Sequence, residues 1–384
     1  MQRIRELLPR MAGTNFAIMS FSCVYFLLPL YLDHVGLKSP ATIGWILGTY
    51  YAASTIPRPF MAFLVERFSF RATLTGAALC CALGSIGLAL SDISLPLLVT
   101  SRVLMGFGFG LFLVSFTTYL TMVIPNEVRG GAFALITIGA MAPFLIVIPL
   151  IDWILHNGFF GLFIWVGPVI AAVCALVGMT FAKVDRNRTA KNWRWGTYSQ
   201  LFALPGARAL FISVFVYGMT DAAIISISTL SMSRGLVSSC FMSSFAVGAI
   251  AVRFAGFRLM DVFPKDRMYP AVIAVTSLSL FGTAFSVTNT AFAFWGFLYG
   301  IGVGVGFPLS LAMIGDVAPP DLRPKATAMV WLILDGCFFI TPVVMGYASS
   351  ILGVAGAFRV IPGILFLFAP AVYFFLWKPL ARTG

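Results

Sequence analysis

Charge is what this chain has least of. Asp, Glu, Lys and Arg make up 10% of its 384 residues, against about 25% in an ordinary soluble domain. So sparse a charged set cannot cover a water-facing surface. That excludes a soluble globular exterior and leaves lipid as the solvent for most of it. Histidine is scarcer still: the two residues, His34 and His156, are too few for an imidazole metal centre or for His-dependent catalysis. The six cysteines, Cys23, Cys80, Cys81, Cys174, Cys240 and Cys337, lack zinc-site spacing. They fall in apolar stretches, where a disulfide framework is not expected, and read as small apolar fillers. No nucleophile–base pair, metal cluster or phosphate-binding loop stands out, so no enzyme activity, metal or cofactor is expected. No stretch is long and polar enough for a separate soluble domain.

What the chain has instead is apolar length. Hydrophobic residues make up 60% of it, enough for twelve spans of about 20 residues joined by short loops. The spans are expected near 12–32, 41–65, 72–91, 95–123, 131–154, 158–182, 207–232, 237–259, 268–287, 290–314, 326–350 and 355–378. The first is too long for the apolar core of a signal peptide, and no A-x-A site follows it.

A net charge of +12 would point to nucleic acid in a soluble protein. Here topology accounts for it, and no nucleic-acid partner is expected. Of the 25 Lys and Arg residues, nineteen fall on one side of these spans. Only Lys38, Arg234 and Arg359 fall on the other, and Arg58, Arg102 and Arg253 lie inside spans. By the positive-inside rule both termini are cytoplasmic. The short loops fit a bacterial inner membrane, with lipid around a monomer. One loop is long, 183–206. It is basic and aromatic, and is expected to be a cytoplasmic linker with an interfacial amphipathic segment, joining six-helix bundles at 1–182 and 207–384.

The two halves repeat. Arg58 is followed eight residues later by Glu66, and Arg253 eight residues later by Asp261, a shift of 195. Gly106, Gly108 and Gly110 recur as Gly300, Gly302 and Gly304, and Pro125 with Arg129 recurs as Pro319 with Arg323, each at a shift of 194. A parallel repeat of six helices about an axis along the membrane normal is a transporter pattern. Alternate glycines cannot all face one way, so they strip side chains from a wide arc of the helix and let backbones approach. Whether that serves sliding between helices or close packing alone is open.

These residues resemble the major facilitator superfamily over essentially the whole chain. The segment Ala62-Phe63-Leu64-Val65-Glu66-Arg67-Phe68-Ser69-Phe70-Arg71 is similar to the family's G-x-x-x-D-R-x-G-R-R loop, with the acid, Arg67 and Arg71 kept in type and Ala62 and Ser69 replacing glycines. Arg102-x-x-x-Gly106-x-Gly108 resembles the family's fourth-helix R-x-x-x-G-x-G. Pro125 to Gly130 resembles its P-x-x-x-R-G element. Gly139-Ala-Met-Ala-Pro143 keeps part of the antiporter signature. Ile43-Gly44-Trp45, Tyr50-Tyr51 and Arg58-Pro59-Phe60 look like the arabinose-efflux and multidrug-efflux branch. The resemblance implies an all-α membrane protein of twelve transmembrane helices, in two six-helix bundles related by pseudo-two-fold symmetry. It also implies secondary transport by alternating access.

Charged side chains within spans are costly and functional by default. Symmetry sorts them. Arg58 and Arg253 are equivalent and, with Glu66, Arg67, Arg71, Arg129, Asp261 and Arg323, read as gate or latch residues. Arg102, Asp221 and Asp335 have no counterpart: the matching positions are Gly296, Leu27 and Met141. They are the candidates for proton coupling, since a carboxylate alternately dried and wetted can load and release a proton. The resemblance implies that Arg102 assists proton transfer or steadies the cavity; Asp33 is a candidate partner. Asn15, Tyr25, Tyr217 and Trp331 are candidates for the substrate cavity. Trp331 lies one turn before Asp335 and shares its face. Prolines within spans, Pro29 and Pro59 among them, offer bends. The expectation is proton-coupled efflux of a small organic solute. The alternative is proton-coupled uptake of an anionic nutrient or metal–siderophore complex.

Overall fold

The computed structural model describes residues 2–90, 94–124, 129–181, 197–255, 263–319 and 321–383. Among these, every regular element is a helix. The chain divides into two compact units, Met1–Arg188 and Thr189–Gly384.

In the first unit, α1 (Gln2–Val24) passes through a 3₁₀ turn at Tyr25–Leu27 into α2 (Leu28–His34). Sequence chemistry dictates this break. Pro29 has no N–H to offer the Tyr25 carbonyl four residues back, so the ladder tightens there. The second span is split the same way into α3 (Pro40–Thr55) and α4 (Arg58–Arg67), with Pro57 rather than Pro59 at the break. Then follow α5 (Phe70–Ala89), α6 (Leu95–Val123), α7 (Arg129–His156) and α8 (Phe160–Met179). Ser39 and Ser69 accept from the Thr42 and Ala72 amides, capping α3 and α5.

In the second unit the short helix α9 (Tyr198–Ala203) opens with a Thr197–Gln200 capping box. The seventh span runs through α10 (Pro205–Ala222), a 3₁₀ turn at Ala223–Ser226 and α11 (Ile227–Arg234). After it come α12 (Ser238–Ala255), α13 (Lys265–Thr283), α14 (Asn289–Val317), α15 (Arg323–Leu352) and α16 (Val354–Ala371). A π-helical turn, Val372–Trp377, leads into α17 (Lys378–Thr383). Of the expected linker, 183–196 lie outside the described residues, and the seventh span begins at Pro205.

Nine helices among the described residues are long and apolar enough to cross a membrane. The three other spans have visible reasons to fall short. The second is broken at Pro57, the eighth is a shorter apolar helix, and the ninth opens with Lys265, Asp266 and Arg267. Twelve spans result, six to a unit.

The glycine ladders are the frame of each unit. A β-carbon built at Gly106 would overlap the Tyr50 carbonyl oxygen of α3, and one at Gly110 would lie 2.6 Å from the Ser54 carbonyl oxygen. Gly108 faces the other way, 2.5 Å by the same construction from the Ala77 carbonyl oxygen of α5. In the second unit Gly300 and Gly304 face Phe245 and Ala249 of α12, while Gly302 faces Thr276 of α13. The fourth helix of each unit is thus clamped on two sides, with backbone approaching backbone wherever a side chain is missing.

An ion pair absent from the sequence expectations, Lys265 Nζ to Asp316 Oδ2 at 2.8 Å, joins α13 to α14. Both side chains are substantially exposed (31% and 52%). Asp316→Asn is therefore expected to change stability by no more than about 0.5 kcal/mol. A shift in melting temperature of only about one or two degrees by differential scanning fluorimetry checks it.

Candidate functional site

Among the described residues, each unit holds a charged candidate of the fourth or seventh span in apolar surroundings. In the first it is Arg102, one turn before the glycine that clamps α6 to α3. Its side chain is 2% exposed. Its Nε donates to the Ile46 carbonyl at 3.2 Å. The guanidinium carbon lies 4.5 Å from the centre of the Tyr50 ring and 5.7 Å from that of Tyr25, within cation–π range. Nη1 has no hydrogen-bond partner in the protein. Tyr25, Tyr50 and Tyr51 are its electrostatic neighbours. No carboxylate among the described residues, Asp33 included, comes within ion-pair distance of it. A cation dried and left without a counter-charge is expensive.

In the second unit the centre is Asp221, the penultimate residue of α10, with the 3₁₀ turn starting just after it. Around it, α13, α14 and α15 each send a hydroxyl to α10. Thr276 Oγ1 meets Thr220 Oγ1 at 3.0 Å. Tyr299 Oη donates to the Asp221 carbonyl at 2.6 Å. Thr341 Oγ1 donates to the Met219 carbonyl at 3.4 Å. The Arg253 guanidinium, from α12, lies within electrostatic reach of the Asp221 carboxylate, and its Nε donates to the Gly304 carbonyl of α14 at 3.4 Å. Sequence symmetry groups Arg253 with the gates, and in the structure it also lies within electrostatic reach of an acid.

The remaining candidates divide. Tyr217 is fully buried in the core of its unit, its ring filling the space beside Gly306. Asn15 is 7% exposed and its amide donates to the Ile136 carbonyl at 2.9 Å, tying α1 to α7. Asp335 is partly exposed on α15, and the Trp331 ring one turn earlier packs edge-on against Phe307 at 5.1 Å. Cys337 lies within electrostatic reach of both Asp221 and Asp335, so these acids belong to one neighbourhood. Arg323 caps its own unit, donating to the Ala318 and Gly315 carbonyls, each at 3.1 Å. Arg58, partly buried, opens α4, and Arg67 and Arg71 are exposed. Asp261 and the side chains of Glu66 and Arg129 lie outside the described residues. Among the described residues no group of three or more His, Cys, Asp or Glu side chains could hold a metal.

Two features escaped sequence reasoning. Asp152 is 1% exposed, with His156 Nδ1 3.1 Å from its Oδ1. The D-x-x-x-H spacing on one helix was the available signal. Tyr299, the residue before the second glycine ladder, carried none.

A profile of the Major Facilitator Superfamily matches residues 11–257 and again 207–384. The chain belongs to that superfamily. Its members are transporters rather than enzymes, and this one is a multi-pass secondary transporter working by alternating access. Among relatives, it is 25% identical over 379 residues to the arabinose-proton symporter of Bacillus subtilis, covering 84% of this chain and 80% of that one. It is 23% identical over 243 residues to the MFS-type transporter YhcA of Bacillus subtilis, covering 63% of this chain and 42% of that one. The match thus spans less than half of the second relative's length. Of solved structures, a bacterial homologue of the human lysosomal transporter Spinster superposes with a TM-score of 0.79 at 12% identity, covering 99% of this chain and 98% of that one. A D-xylose-proton symporter superposes at 0.75 with 12% identity, covering 98% and 97%. These last two establish the fold.

Proposed function

We propose that this member of the superfamily is a proton-coupled exporter of a small organic solute. It works as a monomer in a bacterial inner membrane, with both termini cytoplasmic. The observation that carries the reading is Asp221: a partly buried carboxylate on a transmembrane helix, within electrostatic reach of Arg253. A carboxylate so placed can be charged in one access state and neutral in the other. Asp335 shares its neighbourhood and is the second proton carrier. Arg102 supplies fixed positive charge in the other unit. Tyr25, Asn15, Tyr217 and Trp331 are the side chains proposed to meet solute. Arg58, Glu66, Arg67, Arg71, Arg129, Asp261 and Arg323 hold the helix ends as latches. The Lys/Arg asymmetry supports the topology.

A second reading has its own support. A relative alignable over most of the chain is an arabinose-proton symporter, and symport would carry solute and proton in the same direction. The uptake of an anionic solute is the form of it that Arg102 favours.

Thermal-shift screening of the purified protein against a solute library identifies the cargo. Reconstituted transport of that cargo under an imposed pH gradient then decides. We expect flux to follow the gradient and both Asp221→Asn and Asp335→Asn to weaken its coupling. Flux indifferent to the gradient, with both variants fully active, would sink proton coupling. Its sign relative to the gradient separates antiport from symport.

A further inference from the structure

Three spans of the second unit meet in a pocket of about 360 Å³, apart from the residues assigned to transport. Its depth in the membrane follows from its walls. Lys265 and Asp266 open α13, Asp316 and Val317 close α14, and Trp377 ends the π-helical turn after α16. All stand at the ends of spans, where the bundle meets lipid headgroups and where tryptophan is enriched.

The apolar part of the pocket depends on the π-helical turn. Such turns are rare and gather at functional sites. Here the turn leaves Trp377 buried, its Nε1 donating to Ser213 Oγ of α10 at 3.0 Å, while Phe374 and Phe375 just before it are exposed. With its N–H satisfied, the indole serves the pocket as an apolar wall. Met313 extends that wall, and Phe263, 53% exposed, forms an apolar lip.

The charged part runs against its surroundings. This end of the unit carries Arg267, Arg323, Lys325 and Lys378, yet two of the three charged residues in the pocket are acids. Lys265 Nζ already meets Asp316 Oδ2 at 2.8 Å, and Asp266 makes no ion pair among the described residues. Lys378, the residue after Trp377, is turned to the Phe374 ring, 5.0 Å away. The pocket therefore keeps a surplus negative charge. The repeat isolates it as well. Asp266 and Asp316 fall on Ala72 and Met122 at the 194-residue shift, and on Arg71 and Thr121 at 195. The first unit has no acid at either place.

We propose that this pocket binds a phospholipid whose headgroup carries a primary ammonium, a phosphoethanolamine. An ammonium has three N–H donors and no acceptor, and the carboxylates of Asp266 and Asp316 supply the acceptors. The headgroup phosphate follows the nitrogen by a short ethylene link. Lys265, with three donors of which one serves Asp316, supplies its partner. The indole wall and the Phe263 lip take the start of the acyl chains. A trimethylammonium headgroup has no N–H to give the carboxylates. An anionic headgroup without an amine meets the surplus negative charge. The inference goes beyond the transport reading and is independent of its direction and coupling.

Native mass spectrometry of the delipidated full chain in detergent tests it. The chain is titrated in turn with phosphatidylethanolamine, phosphatidylcholine and phosphatidylglycerol of the same acyl composition. The first phosphatidylethanolamine is expected to bind about tenfold more tightly than either of the others, the scale of a charge-assisted hydrogen bond. Asp266→Asn combined with Asp316→Asn should lower it to the phosphatidylcholine level. Both positions are at least partly exposed, so the protein should still fold. Asp321→Asn, an acid between α14 and α15 that does not line the pocket, should leave the preference unchanged. Glycerophosphoethanolamine, the same headgroup without acyl chains, should not compete at equal concentration; if it does, the ligand is a soluble amine and the lipid assignment falls. Equal binding of the three lipids, tighter phosphatidylglycerol, or a double variant that keeps the preference overturns the proposal. None of these outcomes bears on gradient-driven flux, so the transport reading stands or falls separately.

Discussion

Gly106→Leu is expected to leave no folded amino-terminal unit. A β-carbon at this position would overlap the Tyr50 carbonyl oxygen and lie 2.8 Å from the Tyr50 carbonyl carbon. The obstruction is helix backbone, which cannot rotate away as a flexible side chain would. Ordinary overpacking costs about 1–3 kcal/mol; a collision with backbone at a helix crossing belongs in the rarer class above about 4 kcal/mol. Gly300→Leu should do the same in the other unit, where the overlap is with the Phe245 carbonyl oxygen. Size-exclusion chromatography in detergent reads the result as loss of the monodisperse peak. Gly76→Ala is the control: nothing lies within 4 Å of a β-carbon there, so that variant should behave as wild type. A monodisperse Gly106→Leu with wild-type melting would mean that the crossing is loose. The ladder would then serve sliding rather than close packing.

The outcome matters because the ladder was the part of the fold most legible in the sequence. A missing side chain is a property of the residue itself, and its recurrence at a fixed shift needs no knowledge of packing. What could be foreseen was that alternate glycines serve different neighbours. Which neighbours they are, α3 and α5 in one unit and α12 and α13 in the other, required coordinates. Proline breaks were similarly legible in kind: Pro29 explains the first-span turn, although Pro57 rather than Pro59 splits the second.

The candidate site was legible in its charges but not in their company. Arg102, Asp221 and Asp335 stand out because charge is rare in these spans. Arg253 stands out too, yet internal symmetry assigned it to the latches. Symmetry relates positions, and Asp221, within electrostatic reach of Arg253, breaks the repeat. The 3₁₀ turn after Asp221 was invisible because it has no proline of its own, and Tyr299, which bonds the Asp221 carbonyl, lies 78 residues further on. Tyr217 is a cavity candidate by type and helix, and the room that Gly306 gives its ring is a matter of packing that the sequence does not carry. Asp152 was passed over because it sat close to an expected span end, where a carboxylate is ordinary.

Arg102→Met is expected to cut transport by about 100-fold while leaving the melting temperature unchanged or higher. The two halves of that expectation have different causes. Stability should hold because the guanidinium is buried with no carboxylate in ion-pair distance and with Nη1 unbonded. Replacing a buried charge by an apolar side chain of similar length is often neutral or stabilising by about 1–4 kcal/mol. Transport should fall because losing a charge-assisted contact of about 1.5–3 kcal/mol slows a step by roughly one to two orders of magnitude. Arg102→Lys should land between the two. An ammonium keeps the charge, but it cannot both donate to the Ile46 carbonyl as Nε does and stack its plane on Tyr50. Reconstituted flux set against scanning fluorimetry on the same preparations gives both readouts. A variant that transports normally would make Arg102 a packing residue. One that unfolds would make the Ile46 bond and the Tyr50 stack the reason for its presence. A stable protein that no longer transports would show that this unit keeps a cation it would fold better without, and a cost of that kind is retained only for function.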